Sequence, residues 1–383
     1  MPWVVREAVR DINRAVGRRW NAIDPLLPDP ASLPAGCGEP LVVSSDNGRT
    51  EGLGVCVHQH IPPQSLNQTW GAAERFTLVP RLPGQDVAAG ADQLLALWRD
   101  HLAGTGAARR PDTSASVVWP SMDITGVPPL LRHGLQPVTV IAARARPTGP
   151  LPPPRPAYGA TIRAAGPADE EQVLDLELRL IRYDMHFGGP VWRPDTARLV
   201  REEIRGSLAR PATWTWLAER NGRPVGLLVA QPPQDAGWIA GMTNRSPAAY
   251  LQTMFIDAQE RGTGIGAALV RNLHAKLDAM GIAVTLLHHS QVNPLSAPFW
   301  YRMGYRPLWT SWEARPASGL RLPRGDDPPA PPDHGGPARP PVAPAVRTAP
   351  KTRHPHAAAE VKTLWLPTGS AKGALPVGRL RTR

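Results

Sequence analysis

The segment that decides the fold is Ile256-Asp-Ala-Gln-Glu-Arg261-Gly262-Thr263-Gly264-Ile265-Gly266-Ala-Ala-Leu269. An apolar, strand-like run leads into it, and a helix is predicted from about 264 to 280. Glycines let the backbone approach a ligand closely, and the N–H groups of a helix start converge with the positive end of its dipole. Because the first turns of this helix carry no acidic side chain, the segment predicts a phosphate or pyrophosphate site.

Two other phosphate-binding motifs do not fit this segment. A P-loop needs Lys followed by Ser or Thr after its glycines, and a dinucleotide site wants an acidic residue at the end of the following strand. The sequence has neither. A lone glycine turn can also be a tight strand–helix connection that binds nothing, and that alternative stays open at this point.

The surrounding block reads as a mixed α/β domain. Strands are predicted at 160–165, 213–219, 224–230, 250–256 and 283–288, and helices at 167–182, 194–208 and 264–280. Asn221-Gly222 lies between two β-rich runs and is a strong hairpin signal.

Proline divides the chain of 383 residues. Residues 148–156 read TGPLPPPRP, a stiff connector, and residues 316–383 hold 14 of the 46 prolines without a hydrophobic period. We predict a first domain at 1–147, a linker at 148–156, a second domain at 157–315 and a disordered tail at 316–383. The triplet Leu364-Trp365-Leu366 in the tail is either a stray apolar run or a docking motif for a protein partner.

The two predicted domains are related by a constant offset. Adding 170 to Asp123, Pro128, Gly134 and Pro137 gives Asn293, Pro298, Gly304 and Pro307. An internal duplication explains four coincident offsets better than chance does.

The formal net charge of +11 suggests a nucleic-acid partner. The tail, however, holds 11 of the 43 basic residues and 4 of the 32 acidic ones, so the excess lies mainly outside the domains. Nucleic acid is therefore not the expected partner. No apolar run reaches the ~18 residues that span a bilayer, and the segment 1–20 predicts an amphipathic helix, not a signal peptide. With 2 cysteines, we expect a cytoplasmic protein without membrane contact.

Two motifs of the second block resemble those of the GNAT superfamily of acyl-CoA-dependent N-acyltransferases. The first is Arg261-x-x-Gly264-x-Gly266 after an apolar strand. The second, about 27 residues later, runs from Asn293 to Phe299-Trp-Tyr-Arg-Met-Gly304-Tyr305. The resemblance covers about 155 residues, from 160 to 315, and it implies tandem GNAT-like domains, each with a mixed, mostly antiparallel central sheet flanked by helices.

The resemblance also implies a coenzyme site that takes acetyl-CoA as co-substrate. Backbone amides of the glycine turn would hold the pyrophosphate, the strand before it would pair with the pantetheine arm, and an asparagine would bind the coenzyme from the far side. The residues in these three roles are Arg261, Gly262, Thr263, Gly264, Ile265 and Gly266; Met254, Phe255 and Ile256; and Asn293. For Asn293, a structural Asn-Pro turn is the alternative.

The sequence departs from the family pattern at the general acid. The position of the family's tyrosine is Trp300, which has no proton to give a thiolate. Tyr301 is the neighbouring candidate, although adjacent helical residues point about 100° apart. The alanine expected three residues after Asn293 is Ser296.

Histidines at the end of a strand are the candidates for the general base, which must accept a proton from an ammonium. His288 is our candidate, and His289 faces the opposite side of the same strand. Asp184 and His186 lie in the region that shapes the acceptor pocket in this family; for all four residues, an ordinary polar position is the alternative.

The first block lacks the glycine motif. Its corresponding region contains Asp86 and Asp92, which would place negative charge beside a pyrophosphate. We interpret it as a degenerate GNAT-like domain that packs on the second, an arrangement similar to that of the mycothiol synthases. Cys56-x-His58-x-His60 spans about 13 Å along a strand, too far for three ligands of one tetrahedral ion, so we predict no metal site.

The sequence thus predicts a GNAT N-acetyltransferase that uses acetyl-CoA and a primary amine in direct ternary-complex attack. The alternative is a non-catalytic acyl-CoA-binding or scaffold module, which the missing tyrosine favours. A basic nucleic-acid-associated protein is the third hypothesis.

Overall fold

The computed structural model describes residues 3–34, 40–44, 50–84, 86–106, 109–149, 159–210 and 212–320. The helices are α1 (Trp3–Ile23), α2 (Val87–Gly104), α3 (Val127–Arg132), α4 (Glu170–Met185), α5 (Thr196–Leu208), α6 (Gly237–Ala240), α7 (Ile265–Ala279) and α8 (Ser296–Arg302). The strands are β1 (Leu41–Ser44), β2 (Thr50–His60), β3 (Glu74–Arg81), β4 (Thr113–Pro120), β5 (Gln136–Ala145), β6 (Thr161–Ala164), β7 (Thr215–Arg220), β8 (Arg223–Gln231), β9 (Ala248–Ile256), β10 (Val284–Ser290) and β11 (Arg306–Ala314).

These strands form one sheet in the order β1-β2-β3-β4-β11-β5-β10-β9-β8-β7-β6. Neighbouring strands are antiparallel except β3 with β4 and β9 with β10, which are parallel. The predicted fold class, a mixed and mostly antiparallel sheet flanked by helices, is confirmed. The predicted hairpin is also present: Asn221 (φ 52°) and Gly222 (φ 73°) form its turn.

The last strands of the two halves are interleaved in the middle of the sheet. The sequence did not predict this arrangement. Strand β5, from the first half, lies between β11 and β10, and β11, from the second half, lies between β4 and β5. Each half therefore completes the sheet of the other, and the two share one continuous layer of backbone hydrogen bonds.

Helices cover both faces of the sheet. On one face, α2 and α3 pack over the first half, and α7 and α8 over the second. On the other face, α1 and α6 cover the middle of the sheet, while α4 and α5 cover its second half. Helix α7 shows why: Ile265, Leu269, Leu273 and Leu277 recur every four residues and are all buried.

The described helices include none that is long and apolar enough to cross a membrane. Residues 150–156 of the predicted linker and 321–383 of the predicted tail lie outside the described residues. The first residues of that tail pack on the first half, where Ala317 and Leu320 are buried in the same core as α2.

Candidate active site

A cleft opens where β9 and β10 separate. Their parallel pairing joins Ala248–Leu251 to Val284–Leu287 and ends there. Beyond that point β9 continues to pair with β8, and His288–Ser290 pair with β5. Within the described chain, the edge of β9 that faces the cleft, from 252 to 256, has no strand partner. A free strand edge presents N–H and C=O groups to any extended ligand.

The predicted residues Met254, Phe255 and Ile256 lie on this edge. Met254 and Ile256 point their side chains at the core under α7, and Phe255 points at α4 and α5. Their side chains are thus occupied by packing, and the backbone is what the strand offers a ligand. The carbonyl of Ile256 already accepts a hydrogen bond of 3.3 Å from Arg261 Nε.

A β-bulge lies on β9 at Gln252, one residue before the free edge. Opposite it, Val229 pairs with Thr253 but Ala230 pairs with Leu251, so Gln252 is the extra residue. The bulge turns two consecutive side chains toward the helices α4 and α5. Bulges re-aim side chains next to active sites, and this one places polar groups beside the cleft.

The glycine turn before α7 has the backbone geometry that its sequence requires. Gly262 (φ 81°) and Gly264 (φ 90°) both adopt left-handed conformations, and a Cβ on either would meet nothing within 4 Å. The space beside both glycines is open, and the first turn of α7 has no acidic residue. The residues present therefore fit an anionic group at the start of α7.

Gly266 has a different role from the two glycines before it. A Cβ there would lie 2.9 Å from Met254 Cε and 3.3 Å from Ile256 Cγ1. Ile265 beside it is fully buried. This end of the motif lets α7 pack closely on β9, while the preceding turn stays open.

The side chains of the turn tie it to neighbouring elements. Thr263 Oγ1 donates a hydrogen bond of 2.7 Å to the carbonyl of Glu260. The exposed Arg261 places its guanidinium 4.7 Å from the ring centre of Tyr183, at the end of α4. The turn is thereby held against α4 as well as β9.

Asn293 is buried and makes the contacts of a helix-initiating turn. Its Oδ1 accepts from the backbone N–H of Leu295 at 3.0 Å, and its carbonyl accepts from Ser296 N at 3.1 Å. These bonds match the structural alternative for this residue. They position the start of α8 beside the cleft.

The two aromatic residues at the predicted general-acid position have separate environments. Trp300 is buried in the core, its ring 5.4 Å from that of Tyr305. Tyr301 is 45% exposed, and its ring lies 6.3 Å from that of His289. The exposed phenol is thus beside the end of β10, on the face of the sheet that α7 and α8 cover.

His288 lies on the opposite face from Tyr301, so the structure does not bring these two predicted residues into contact. His288 Nδ1 shares a hydrogen bond of 3.0 Å with the Tyr250 hydroxyl, and its ring stacks 6.1 Å from Trp238. Burial lowers the pKa of His288 to about 4. Burial also lowers the pKa of His289. Both imidazoles are therefore neutral at neutral pH.

Two carboxylates beside the bulge were not found by sequence reasoning. Thr253 Oγ1 donates to Glu177 Oε1 at 3.0 Å, and Gln252 Nε2 donates to Glu203 Oε1 at 3.1 Å. Glu177 is 5% exposed and lies on α4 in the stripe that Val173 begins. Glu177 could have been found from the sequence, because it lies four residues after Val173, at a position of the amphipathic helix that faces the core.

The comparisons with known proteins bear on this site. Residues 178–305 match the family model described as the acetyltransferase (GNAT) family. We refer to the second half, which contains these matched residues, as the GNAT domain. This family match supports acyl transfer from coenzyme A as the general activity. The comparison with curated proteins gave no match.

Solved structures of GNAT proteins are also similar to the chain. A GCN5-related N-acetyltransferase from Sphaerobacter thermophilus has a TM-score of 0.47 and 15% identity, covering 73% of this chain and 82% of that one. A tandem GNAT protein from the clavulanic acid biosynthesis pathway has a TM-score of 0.37 and 14% identity, with coverages of 79% and 96%. The aminoglycoside N-acetyltransferase AAC(6')-Iy in complex with CoA has a TM-score of 0.33 and 18% identity, with coverages of 41% and 93%.

In the GNAT domain, Asp184 and His186 lie at the end of α4. The side chain of His186 is exposed, and its backbone N–H caps the helix by donating to carbonyls of the last turn. Asp184 is partly buried, and burial raises the pKa of its carboxyl to about 6. Asp184 thus gains a proton more readily than an ordinary aspartate.

The first half contacts the GNAT domain along α5. Thr69 and Thr196 share a hydrogen bond of 3.0 Å between their hydroxyls. Arg193 forms an ion pair of 2.7 Å with Asp112 and donates to the carbonyl of Gly71 at 3.1 Å. Through these contacts the first half supports the helices beside the cleft.

The first half has its own diverging pair, β3 and β4, but a different helix start. Asp86 caps α2, its side chain accepting from Ala89 N at 2.9 Å, so a carboxylate lies where the GNAT domain has its open turn. Asp92 pairs with Arg132 at 2.9 Å. Of the Cys56, His58 and His60 group, Cys56 is buried and accepts from Trp98 Nε1, whereas both histidines lie near Glu74.

Proposed function

We propose that the chain transfers an acetyl group from acetyl-CoA to a primary amine by direct attack in a ternary complex. The observation that carries the proposal is the free edge of β9 beside the open glycine turn. An extended thioester arm fits along such an edge, and its phosphates fit the positive end of α7. Backbone N–H groups of 254–256 would polarise the thioester carbonyl.

The coenzyme-binding residues follow from the same geometry. The pyrophosphate is held by the backbone amides from Arg261 to Gly266, and the pantetheine arm pairs with the backbone from Met254 to Ile256. Asn293, at the start of α8, contacts the coenzyme from the β10 side. The domains are 1–147, which supports the site, and 157–315, which performs the transfer.

Proton transfer is assigned to His288 and Tyr301. The ammonium first loses a proton to the neutral imidazole of His288. The amine nitrogen then bonds to the carbonyl carbon, and the carbon–sulfur bond breaks. Tyr301, on the opposite face of β10, gives its proton to the departing thiolate, and the second proton of the attacking nitrogen returns through solvent to the Tyr301 phenolate. The low pKa of about 4 keeps His288 unprotonated at neutral pH but makes the imidazole a weak base, so a proton taken from the amine must pass on to solvent.

The acceptor is a cationic amine. Glu177 and Glu203 lie beside the bulge on the face of the sheet that carries His288 and Trp238. Two carboxylates on the face that also carries an aromatic ring attract an ammonium group and orient it.

A non-catalytic acyl-CoA-binding module is the second candidate function, because Trp300 fills the core position where the family has its tyrosine. Release of free coenzyme A thiol in an amine screen separates the two. Thiol release with any amine supports the enzyme, whereas acetyl-CoA binding without release supports the binding module. Tyr301→Phe should lower kcat without weakening the binding of acetyl-CoA.

Coenzyme binding itself is tested with Thr263→Glu and the matched variant Thr263→Gln. Both lose the bond to Glu260, but only the first adds charge. Unit charges about 5 Å apart in water repel by about 0.8 kcal/mol, so two phosphate charges predict a roughly tenfold weaker acetyl-CoA affinity for Thr263→Glu. Calorimetry should give one site per chain; equal affinities for the two variants would contradict the assignment.

A further inference from the structure

We propose that a cavity between α1, the diverging ends of β3 and β4, and Trp309 of β11 binds a small carboxylate with an apolar body about the size of one aromatic ring. The parallel pairing of β3 and β4 ends at Leu78 and Val117, and the strands separate beyond it. Helix α1 and the segment 28–34 cover the gap and leave a cavity of about 160 Å³. A cavity of about 150 Å³ is large enough to hold benzene.

The walls of this cavity are mainly aromatic and apolar, and Arg81 is the buried charged residue among them; Arg19 and the exposed Asp29 also line the cavity. The walls include Trp20, Trp119, Trp309, Val79, Leu82 and Arg81. The rings of Trp20 and Trp309 meet edge to face at 5.0 Å. Such walls favour a flat apolar ligand.

Arg81 supplies the polar anchor. Its side chain is buried, and its guanidinium donates to Asn13 Oδ1 at 3.0 Å and to the carbonyls of Ala31 and Pro80, each at 2.9 Å. All three acceptors are neutral. Among the described residues, no carboxylate lies within ion-pair distance of this guanidinium. A buried charge without a counter-charge is costly, and an anionic ligand removes that cost.

The charge count at the cavity favours a single negative charge. Arg19, the other guanidinium on the wall, is already paired with Asp123. Trp20 lies 5.7 Å from the Arg81 guanidinium and gives only partial compensation. Asp29 also lines the cavity, but it is exposed to solvent. A monocarboxylate therefore matches the one buried cation without a counter-charge, and a bidentate contact suits the guanidinium.

Coenzyme A does not fit this position. The Asp86 carboxylate caps the start of α2, where a pyrophosphate would need a positive site. Helix α1 also lies over the cleft, and Trp20 occupies part of it. The cavity is therefore separate from the acetyl-CoA site of the GNAT domain and does not depend on the proposed acceptor.

The experiment compares benzoate with its neutral analogue benzamide on the full chain, using ligand-observed NMR titrations. The variants are Arg81→Met, which removes the charge, and Ser32→Trp, which places a large ring at the exposed rim of the cavity. We expect benzoate to bind about tenfold more tightly than benzamide. Arg81→Met should reduce benzoate to the benzamide level, and Ser32→Trp should remove binding of both.

The proposal is wrong if the unmodified chain does not bind benzoate, or if it binds benzoate no better than benzamide. It is also wrong if Ser32→Trp binds benzoate normally, which decides the matter even where Arg81→Met fails to fold by circular dichroism. Displacement of benzoate by coenzyme A would assign the cavity to the coenzyme instead. Acetyl-CoA titration of Ser32→Trp shows that the GNAT domain is intact.

Discussion

Removing one partner of the ion pair between Arg144 and Asp278 should cause one of the largest losses of stability that a single substitution can cause in this chain. Arg144 lies on β5, from the first half, and Asp278 lies on α7 of the GNAT domain. The contact is bidentate, with Nη1 to Oδ1 at 3.0 Å and Nη2 to Oδ2 at 2.7 Å. Their side chains are only 9% and 3% exposed. The variant Arg144→Met keeps an unbranched side chain without the guanidinium and leaves the carboxylate buried without its partner.

Breaking a buried pair from one side costs about 3–5 kcal/mol, because the remaining charge stays desolvated. His274 cannot replace the lost partner at neutral pH, because burial and, secondarily, Arg144 and Arg271 lower its pKa to about 3 and its ring is uncharged. We therefore expect a loss of about 3–5 kcal/mol and a fall in Tm of roughly 6–20 °C.

Urea denaturation followed by far-UV circular dichroism measures this loss. The control is Arg146→Met, two residues further along the chain and exposed, which should change the free energy of unfolding by less than about 0.5 kcal/mol. The double variant Arg144→Met with Asp278→Leu removes both charges and should recover most of the stability. A loss below 1 kcal/mol for Arg144→Met, or no recovery in the double variant, would refute the reasoning.

Three further predictions concern the GNAT domain. His288→Gln should lower kcat by roughly 10²–10⁴ between pH 6 and 8, whereas His289→Gln, on the other face of β10, should leave kcat near the parent value in thiol-release assays. Asp184→Asn tests a pH dependence: since its folded pKa of about 6 exceeds the unfolded value, stability is full below pH ~4 and falls as the pH rises through 6. The variant should raise the free energy of unfolding by up to about 3 kcal/mol at pH 8 and change nothing at pH 4, by urea denaturation at both. Gly264→Ala meets no atom within 4 Å, so any loss of stability, about 1 kcal/mol, comes from its left-handed backbone, and calorimetry should show weaker acetyl-CoA binding.

The sequence was sufficient to predict those secondary-structure elements that depend on residues adjacent in the chain. The run from Tyr250 to Met280 predicted a strand, a glycine turn and a helix, and the structure has β9 and α7 there, within two residues of each predicted end. Asn221-Gly222 gave its hairpin because the two residues share one turn conformation. Such signals depend on neighbours in the chain, so the sequence carries them.

The contacts that the sequence did not show are those set by the whole sheet. Gln252 and Thr253 look like alternating strand residues, and only the pairing with β8 reveals the bulge that turns both toward α4 and α5. In the sequence, Glu177 is one acidic residue of an amphipathic helix. Only the structure shows that Thr253 lies opposite it and donates a hydrogen bond to its carboxylate. The buried Arg81 in the first half was missed for the same reason, because its guanidinium donates hydrogen bonds to Asn13 of α1 and to the carbonyl of Ala31, which are distant in the sequence.

The interleaved strands give the first half a direct part in the cleft. On the β10 side, the cleft is bounded by His288–Ser290, which pair with Thr139–Ile141 of β5, the last strand of the first half. The separation of β10 from β9 therefore depends on where β5 lies, and β5 is fixed in turn by β11 and the Arg144–Asp278 pair. A half without the glycine turn can thus be retained because it positions one wall of the site. The absence of the Arg-x-x-Gly-x-Gly motif before α2 in the sequence of the first half leaves that role unchanged.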